Sequence, residues 1–341
     1  MSNNRICIVP TPKGVGGMVS FHARFYQELI QRGIEVVSSL KDKPYQAVLV
    51  IGGTRNILDL YQARQRGVRI VQRLDGMNWI QRIKWTGFKH FMKAELGNFI
   101  LSIIRKKIAS HLIYQSHFAM IWWEHVHGKT SVNHGVIYNG VNLNVYKPQG
   151  EVYLPFTQNL RLLMVEGSLG GGYEHGIQSG LLWAEELEKR RSASVELVVV
   201  GKVNEHIKNY WNEKTAIKLQ WLGVLERDKI PSVMRSAHLF YATDVHPACP
   251  NTVIEAMACG LPVVAFDTGA LGEMVQNGAG EVVPYGADAW RLETPYISAL
   301  VQASDKILNH LDEYRLQARR RCETNFNIKK TVDDYLQVLL G

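Results

Sequence analysis

The run from His246 to Val275, HPACPNTVIEAMACGLPVVAFDTGALGEMV, constrains the fold more than any other stretch of the chain. Asn251 and Thr252 offer caps ahead of apolar Val253, Ile254, Ala256 and Met257, so a short helix is predicted here. Its unpaired N–H groups would face Cys249-Pro250 and can hold an anion. Glu255 is expected inside the first turn, where the helix dipole favours a carboxylate and where two ribose hydroxyls can be accepted. Cys259-Gly260 stops the helix, Leu261-Pro262 turns the chain, and Val263 to Phe266 is an apolar run of strand length. A strand without polar alternation is buried on both faces, the condition of a parallel sheet covered by helices. Asp267 to Glu273 follow at its carboxyl end, where open α/β sheets bind ligands.

The same alternation recurs along the chain. Arg5 to Pro10, Glu35 to Ser38, Ala47 to Ile51, Val68 to Gln72 and His111 to Ser116 read as strands, with an amphipathic helix from Met18 to Arg32 and a helix opened by Ser116. A second series begins at Leu160–Val165 and continues through Glu196–Val200, Ile217–Leu222, the helix Ile230–Ala237 and His238–Ala242, which delivers Asp244 and His246 to a strand end. Between the two, Asn139-Gly140 permits a positive-φ turn out of one domain, and the boundary is placed near Gly150. The glycines of Lys13-Gly14-Val15-Gly16-Gly17 let backbone N–H groups approach a phosphate, and a plain tight turn explains them equally well. The spacing is not the dinucleotide fingerprint, and no acidic residue follows where a dinucleotide ribose needs one.

The ordered motif CPN…EAMACGLPVV…TG…E resembles the donor-site signature of glycosyltransferase family 4, the retaining "group 1" glycosyltransferases of GT-B fold. The resemblance implies two Rossmann-like, doubly wound α/β domains facing a central cleft. They would comprise an acceptor-side domain over 1–149 and a donor-binding domain over 150–326, with a last helix over 327–341 returning to the first. It implies transfer of a hexose, glucose being expected, from a UDP-sugar to a glycan or lipid-linked sugar in polysaccharide biosynthesis.

Carried over position by position, Gly16 and Gly17 would lie across the cleft from the donor diphosphate. Gly201 and Lys202, with Gly223, Val224 and Leu225, would form base-binding loops, and Pro250, Asn251, Thr252, Val253 and Glu255 would hold the nucleotide. Arg73 and Asp75 would face the acceptor and the reacting carbon. Asp75 is also readable as a buried turn residue ahead of glycine. The pattern departs at four places. The family's His-Asp is Leu74-Asp75, its first signature glutamate is Pro247, and its arginine and lysine after the donor domain's first strand are Ser168 and Tyr173. His246 is the nearest titratable substitute for the glutamate. Gly170, Gly171 and Gly172, as a nest of N–H groups, and Lys202 are the candidate replacements for the cations, and a merely flexible loop competes with that reading.

Charge separates the two halves. Residues 1–150 hold 20 Lys/Arg against 7 Asp/Glu, whereas 151–341 hold 19 against 24. A basic first half seeks anionic lipid, nucleic acid or a phosphorylated acceptor. Trp79 to Lys107 mixes aromatics with Arg and Lys, a composition that suits a membrane interface or an ordinary core helix with a solvated basic face. The acidic second half argues against nucleic acid. No apolar run is long enough to span a bilayer and the start lacks a secretory pattern, so a cytoplasmic protein is expected, peripheral at most at the inner face of the membrane. The four cysteines show no CxxC pair and no Asp-x-Asp motif occurs, so neither a disulfide framework, a metal nor a cofactor is expected. A GT-B nucleotide-sugar epimerase, a partner subunit with decayed catalytic groups and, from fold analogy alone, a dehydrogenase are the alternative readings.

Overall fold

The computed structural model describes residues 4–14, 16–85, 87–170 and 174–341. The chain divides into two compact units, one of Met1–Gly140 with Phe326–Gly341 and the other of Val141–Asn325. The division therefore falls at Gly140, ahead of Gly150. Asn139-Gly140 does not use the left-handed backbone expected of it. Glycine is required for a different reason: a Cβ at Gly140 would lie 2.6 Å from the Ile328 Cα.

In the first unit β1 (Arg5–Val9), α1 (Gly17–Gln31), β2 (Glu35–Val37), β3 (Ala47–Ile51), α2 (Ile57–Gln65), β4 (Arg69–Leu74), α3 (Phe88–Ile103), β5 (His111–Tyr114), α4 (His117–His127) and β6 (Asn133–Val136) follow in turn. The strands form one parallel sheet in the order β2-β1-β3-β4-β5-β6. Apolar β3, and β1 beyond Arg5, are fully enclosed because both faces are covered. Phe21, Phe25 and Leu29 of α1 pack with Ile328, Val332, Tyr335 and Leu339 of the C-terminal helix Ile328–Leu340, so the end of the chain completes the core of the unit that holds its beginning. Ser116 caps α4 as its sequence predicts, accepting from the Ala119 N–H at 3.0 Å.

The second unit runs β7 (Leu160–Ser168), α5 (His175–Arg191), β8 (Val195–Lys202), α6 (Glu205–Lys214), β9 (Lys218–Gly223), α7 (Ile230–Arg235), β10 (Leu239–Ala242), α8 (Asn251–Ala258), β11 (Val263–Phe266), α9 (Leu271–Met274), β12 (Gly280–Val283), α10 (Ile297–Asn309) and α11 (Leu311–Asn325). Its sheet, parallel throughout, has the order β12-β11-β10-β7-β8-β9. Counted from β7 this is the doubly wound 3-2-1-4-5-6 arrangement, and the strand order reverses between β7 and β10. The expected pair of doubly wound parallel sheets is thus found. At the amino-terminal edge of this sheet Arg161 is enclosed and paired with Glu196, and it donates to the Ser236 and Pro155 carbonyls, both at 3.0 Å. Lys218 Nζ reaches the same carboxylate at 3.0 Å.

Candidate functional site

The carboxyl edge of the second unit's sheet collects most of the residues singled out by sequence. α8 begins at Asn251, so Asn251 and Thr252 are its first helical residues and the N-cap is Pro250, which supplies no side chain to the first-turn N–H groups. This corrects the expected capping. It also moves Glu255 into the second turn, where it is buried. The helix closes as predicted: Gly260 adopts φ 69°, and the Leu261 N–H donates to the Ala256 carbonyl at 2.9 Å.

β7 carries an irregular register between Val165 and Ser168, a bulge of the kind that re-aims side chains beside active sites. The bulge brings the Glu166 carbonyl so close to Gly201 that a Cβ there would lie 2.1 Å away, so only glycine fits at that position. Beyond the bulge Ser168 pairs with Lys202, and Leu169 N–H donates to the Lys202 carbonyl at 3.0 Å. A lysine on β8 therefore stands beside the serine that replaces the family's arginine. Gly170 follows; Gly171, Gly172 and Tyr173 lie outside the described residues. Gly223 ends β9 with φ 67°, and Val224 after it is exposed.

The least expected feature is acidic. Glu166 at the end of β7 accepts from the Thr243 hydroxyl at 2.9 Å, and Asp244 follows Thr243 after β10. Desolvation, with the nearby Asp244 charge as a second cause, holds the Glu166 carboxyl well above its usual range. Burial raises Asp244 to about 6. Two carboxyls at one strand-reversal point cannot both ionise easily, so they favour the retention of a proton at neutral pH. Sequence reasoning gives Glu166 no role. The only signal is its place near the end of the unit's first strand, and its hydrogen-bond partner Thr243 is 77 positions away.

His246 stands one turn before α8 with φ 58°, and its ring stacks on Trp290 with centroids 3.6 Å apart and planes 17° from parallel. Burial lowers its pKa to about 4, with Asp288 opposing the shift, so the imidazole is neutral at pH 7.

The first unit holds the other candidates. Gly16 is the N-cap of α1 and Gly17 its first residue, at the carboxyl end of β1. Asp75 follows β4 at the same edge; its backbone carbonyl accepts from Trp123 Nε1 at 2.7 Å, and burial raises its carboxyl pKa while Arg73 opposes the rise. Arg73 is turned inward, 1% exposed, with Nη2 donating to Asn139 Oδ1 at 2.8 Å and its guanidinium 3.8 Å from the centre of the Phe21 ring. The sequence places Arg73 on the acceptor side; in the structure its side chain is part of the core under α1. All four cysteines are buried and free. No group of three or more His, Cys, Asp or Glu suited to a metal occurs among the described residues.

The family model described as "Glycosyl transferases group 1" matches residues 164–307, which run from β7 into α10 and contain this whole edge. That segment is similar to the group 1 glycosyl transferases. Within the curated proteins, an uncharacterized glycosyltransferase of Methanocaldococcus jannaschii is 26% identical over 143 residues, 42% of this chain and 37% of its own. Alpha-maltose-1-phosphate synthase of Mycolicibacterium smegmatis is 29% identical over 119 residues, 34% of this chain and 30% of its own. The chain thus spans about a third of the length of the curated relatives it matches. Among solved structures, sucrose-phosphate synthase from Thermosynechococcus elongatus superposes with a TM-score of 0.74 at 15% identity, covering 98% of both chains. HepE of Anabaena, in complex with UDP and glucose, gives 0.67 at 15% identity over 99% of both. At these identities the likeness is one of fold, and the fold is GT-B.

Proposed function

We propose that this protein is a retaining glycosyltransferase that moves a hexose, glucose by preference, from a UDP-sugar to a glycan or polyprenyl-linked sugar. One observation carries the reading: a buried carboxylate, Glu255, on a helix whose N-cap brings no side chain, at the carboxyl edge of a 3-2-1-4-5-6 sheet. Ribose hydroxyls would donate to Glu255, and the diphosphate would lie against the α8 N-terminus and Gly170, with Lys202 supplying charge beside Ser168. In the first unit Gly16, Gly17 and Asp75 lie at the carboxyl edge of that unit's own sheet. The base would meet Gly223, Val224 and Leu225. The chemistry asked of such residues is stabilisation of the departing diphosphate and positioning of the attacking hydroxyl, and no metal or cofactor is invoked. Glucose and uracil are favoured by the HepE complex, whose bound molecules are UDP and glucose.

A thermal-shift panel of nucleoside diphosphates and their sugars tests the donor, since a ligand that binds only the folded chain raises its melting temperature. UDP and UDP-glucose should raise it, and a panel with no response would remove the reading. Incubation of labelled UDP-glucose with a membrane extract then separates transfer to lipid from a free epimer, or from binding without turnover.

Contact with the inner face of a membrane is part of the proposal, favoured by one surface of α3. Phe88, Met92, Leu96 and Phe99 recur at helical spacing and are all exposed, Phe88 at 67% and Phe99 at 60%, with Trp85 at 76% just before them. Lys84, Lys89 and Lys93 are exposed beside this stripe. No helix among the described residues is long and apolar enough to cross a bilayer. Flotation with phosphatidylglycerol vesicles should be lost in a Phe88→Ser/Phe99→Ser variant and should weaken as salt rises; equal flotation of variant and parent would rule the stripe out.

A further inference from the structure

Trp290 follows β12, the edge strand of the second unit's sheet, in a single turn at Ala289–Arg291. Asp288 Oδ1 fixes that turn by accepting from the Trp290 N–H at 2.9 Å and the Arg291 N–H at 3.2 Å. One face of the indole is covered by His246, yet the residue remains 40% exposed. His246 is itself clamped. Its left-handed backbone is uncommon for a residue with a side chain and is held by the loop after β11. Ala270 N–H donates to the Pro247 carbonyl at 2.8 Å, and a Cβ on Gly269 would lie 2.5 Å from the Pro247 nitrogen. Two loops and a capped turn thus hold the two near-parallel rings, with His246 buried and Trp290 40% exposed.

The sheet order says what would meet that surface. If the base lies at the end of β9 and the diphosphate at β7 and α8, the ligand runs along the edge β9-β8-β7-β10. Three strand spacings of about 4.8 Å make roughly 14 Å, the reach of a nucleoside diphosphate. Its sugar then arrives at β10 to β12, where His246 and Trp290 stand. We propose that the indole of Trp290, backed by the His246 ring, is the platform on which the pyranose ring of the donor sugar stacks. Axial C–H bonds give a hexose an apolar face with a slight positive charge, and an aromatic face presents negative charge to it. The neutral imidazole adds flat surface without a charge to desolvate. The position of Pro247, where the family's first glutamate is lost, makes an apolar contact with the sugar the natural substitute for a polar one.

This inference rests on the donor reading above, and calorimetric titration with UDP and with UDP-glucose separates the two. Trp290→Ala should weaken UDP-glucose roughly threefold to tenfold and leave UDP unchanged. Trp290→Phe should keep most of the sugar's contribution. Trp290→Leu, which retains apolar cover over His246 without a flat face, should lose it as alanine does, and guards against a folding effect in the alanine variant. Equal losses for both ligands, no loss for either, or full affinity in Trp290→Leu would overturn the platform. If the unaltered protein binds neither ligand, the donor reading falls and the platform with it.

Discussion

One strand of the second unit carries an ionisable side chain at each end, Arg161 enclosed and Glu166 half-buried, and the two ends are treated oppositely. At the start of β7 Arg161 meets Glu196, and Lys218 and two carbonyls complete the set. Burial alone would raise the Glu196 pKa, but hydrogen bonds from Lys218 and Arg161 hold it below the ordinary carboxylate value. At the end of β7 Glu166 meets another acid, Asp244, while the Thr243 hydroxyl donates to it, and both carboxyl pKa values are raised. The amino edge is satisfied and therefore structural. The carboxyl edge holds two acids whose ionised forms are disfavoured, as is common where a ligand supplies what the fold does not.

The contrast is broken most forcefully at the amino edge. Arg161→Ala leaves Glu196 buried without its main partner and should cost about 3–5 kcal/mol in chemical denaturation, while the protein that still folds binds UDP-glucose normally. An equal loss of binding would mean that the two edges are not separable. Glu255→Ala should do the reverse, weakening UDP-glucose by about 1–3 kcal/mol with little change in unfolding midpoint; unchanged affinity removes Glu255 from the site.

Asp244 adds a pH signature. Its folded pKa, about 6, lies above that of an unfolded aspartate, so its contribution to stability is complete at low pH and is lost as pH rises through about 6. The same ionisation puts negative charge beside the expected diphosphate. UDP-glucose, whose phosphates do not titrate in this range, should bind more tightly at pH 5 than at pH 7, and Asp244→Asn should flatten the difference. A flat profile in the unaltered protein would place Asp244 away from the ligand. The smallest effect belongs to exposed Lys202, whose replacement by alanine should cost under about 1 kcal/mol in UDP-glucose affinity and reduce the dependence on salt.

The sequence makes legible what is local. α8, its glycine stop and β11 follow from an apolar run and a turn, and β1 and β3 from unbroken hydrophobicity. Edge strands are harder. β6 is Asn-His-Gly-Val and β12 is Gly-Glu-Val-Val, and neither carries a run that marks a strand, because each pairs on one side only. Side-chain direction in a doubly covered strand is not legible either. Gln72 and Arg73 in β4 look like residues on the way to a surface and are both enclosed, one bonded to the Gly52 carbonyl and the other to Asn139. The pairing of Glu166 with Asp244 and the stack of His246 on Trp290 join residues far apart in sequence, so no spacing rule announces them.

A crystal grown with UDP-glucose would show whether the carboxyl edge of the second unit holds the donor. The ribose hydroxyls should lie on the Glu255 carboxylate and the diphosphate at the N-terminus of Asn251–Ala258. A nucleotide bound at the amino edge, beside Arg161, or one that leaves Glu255 untouched, would contradict this placement.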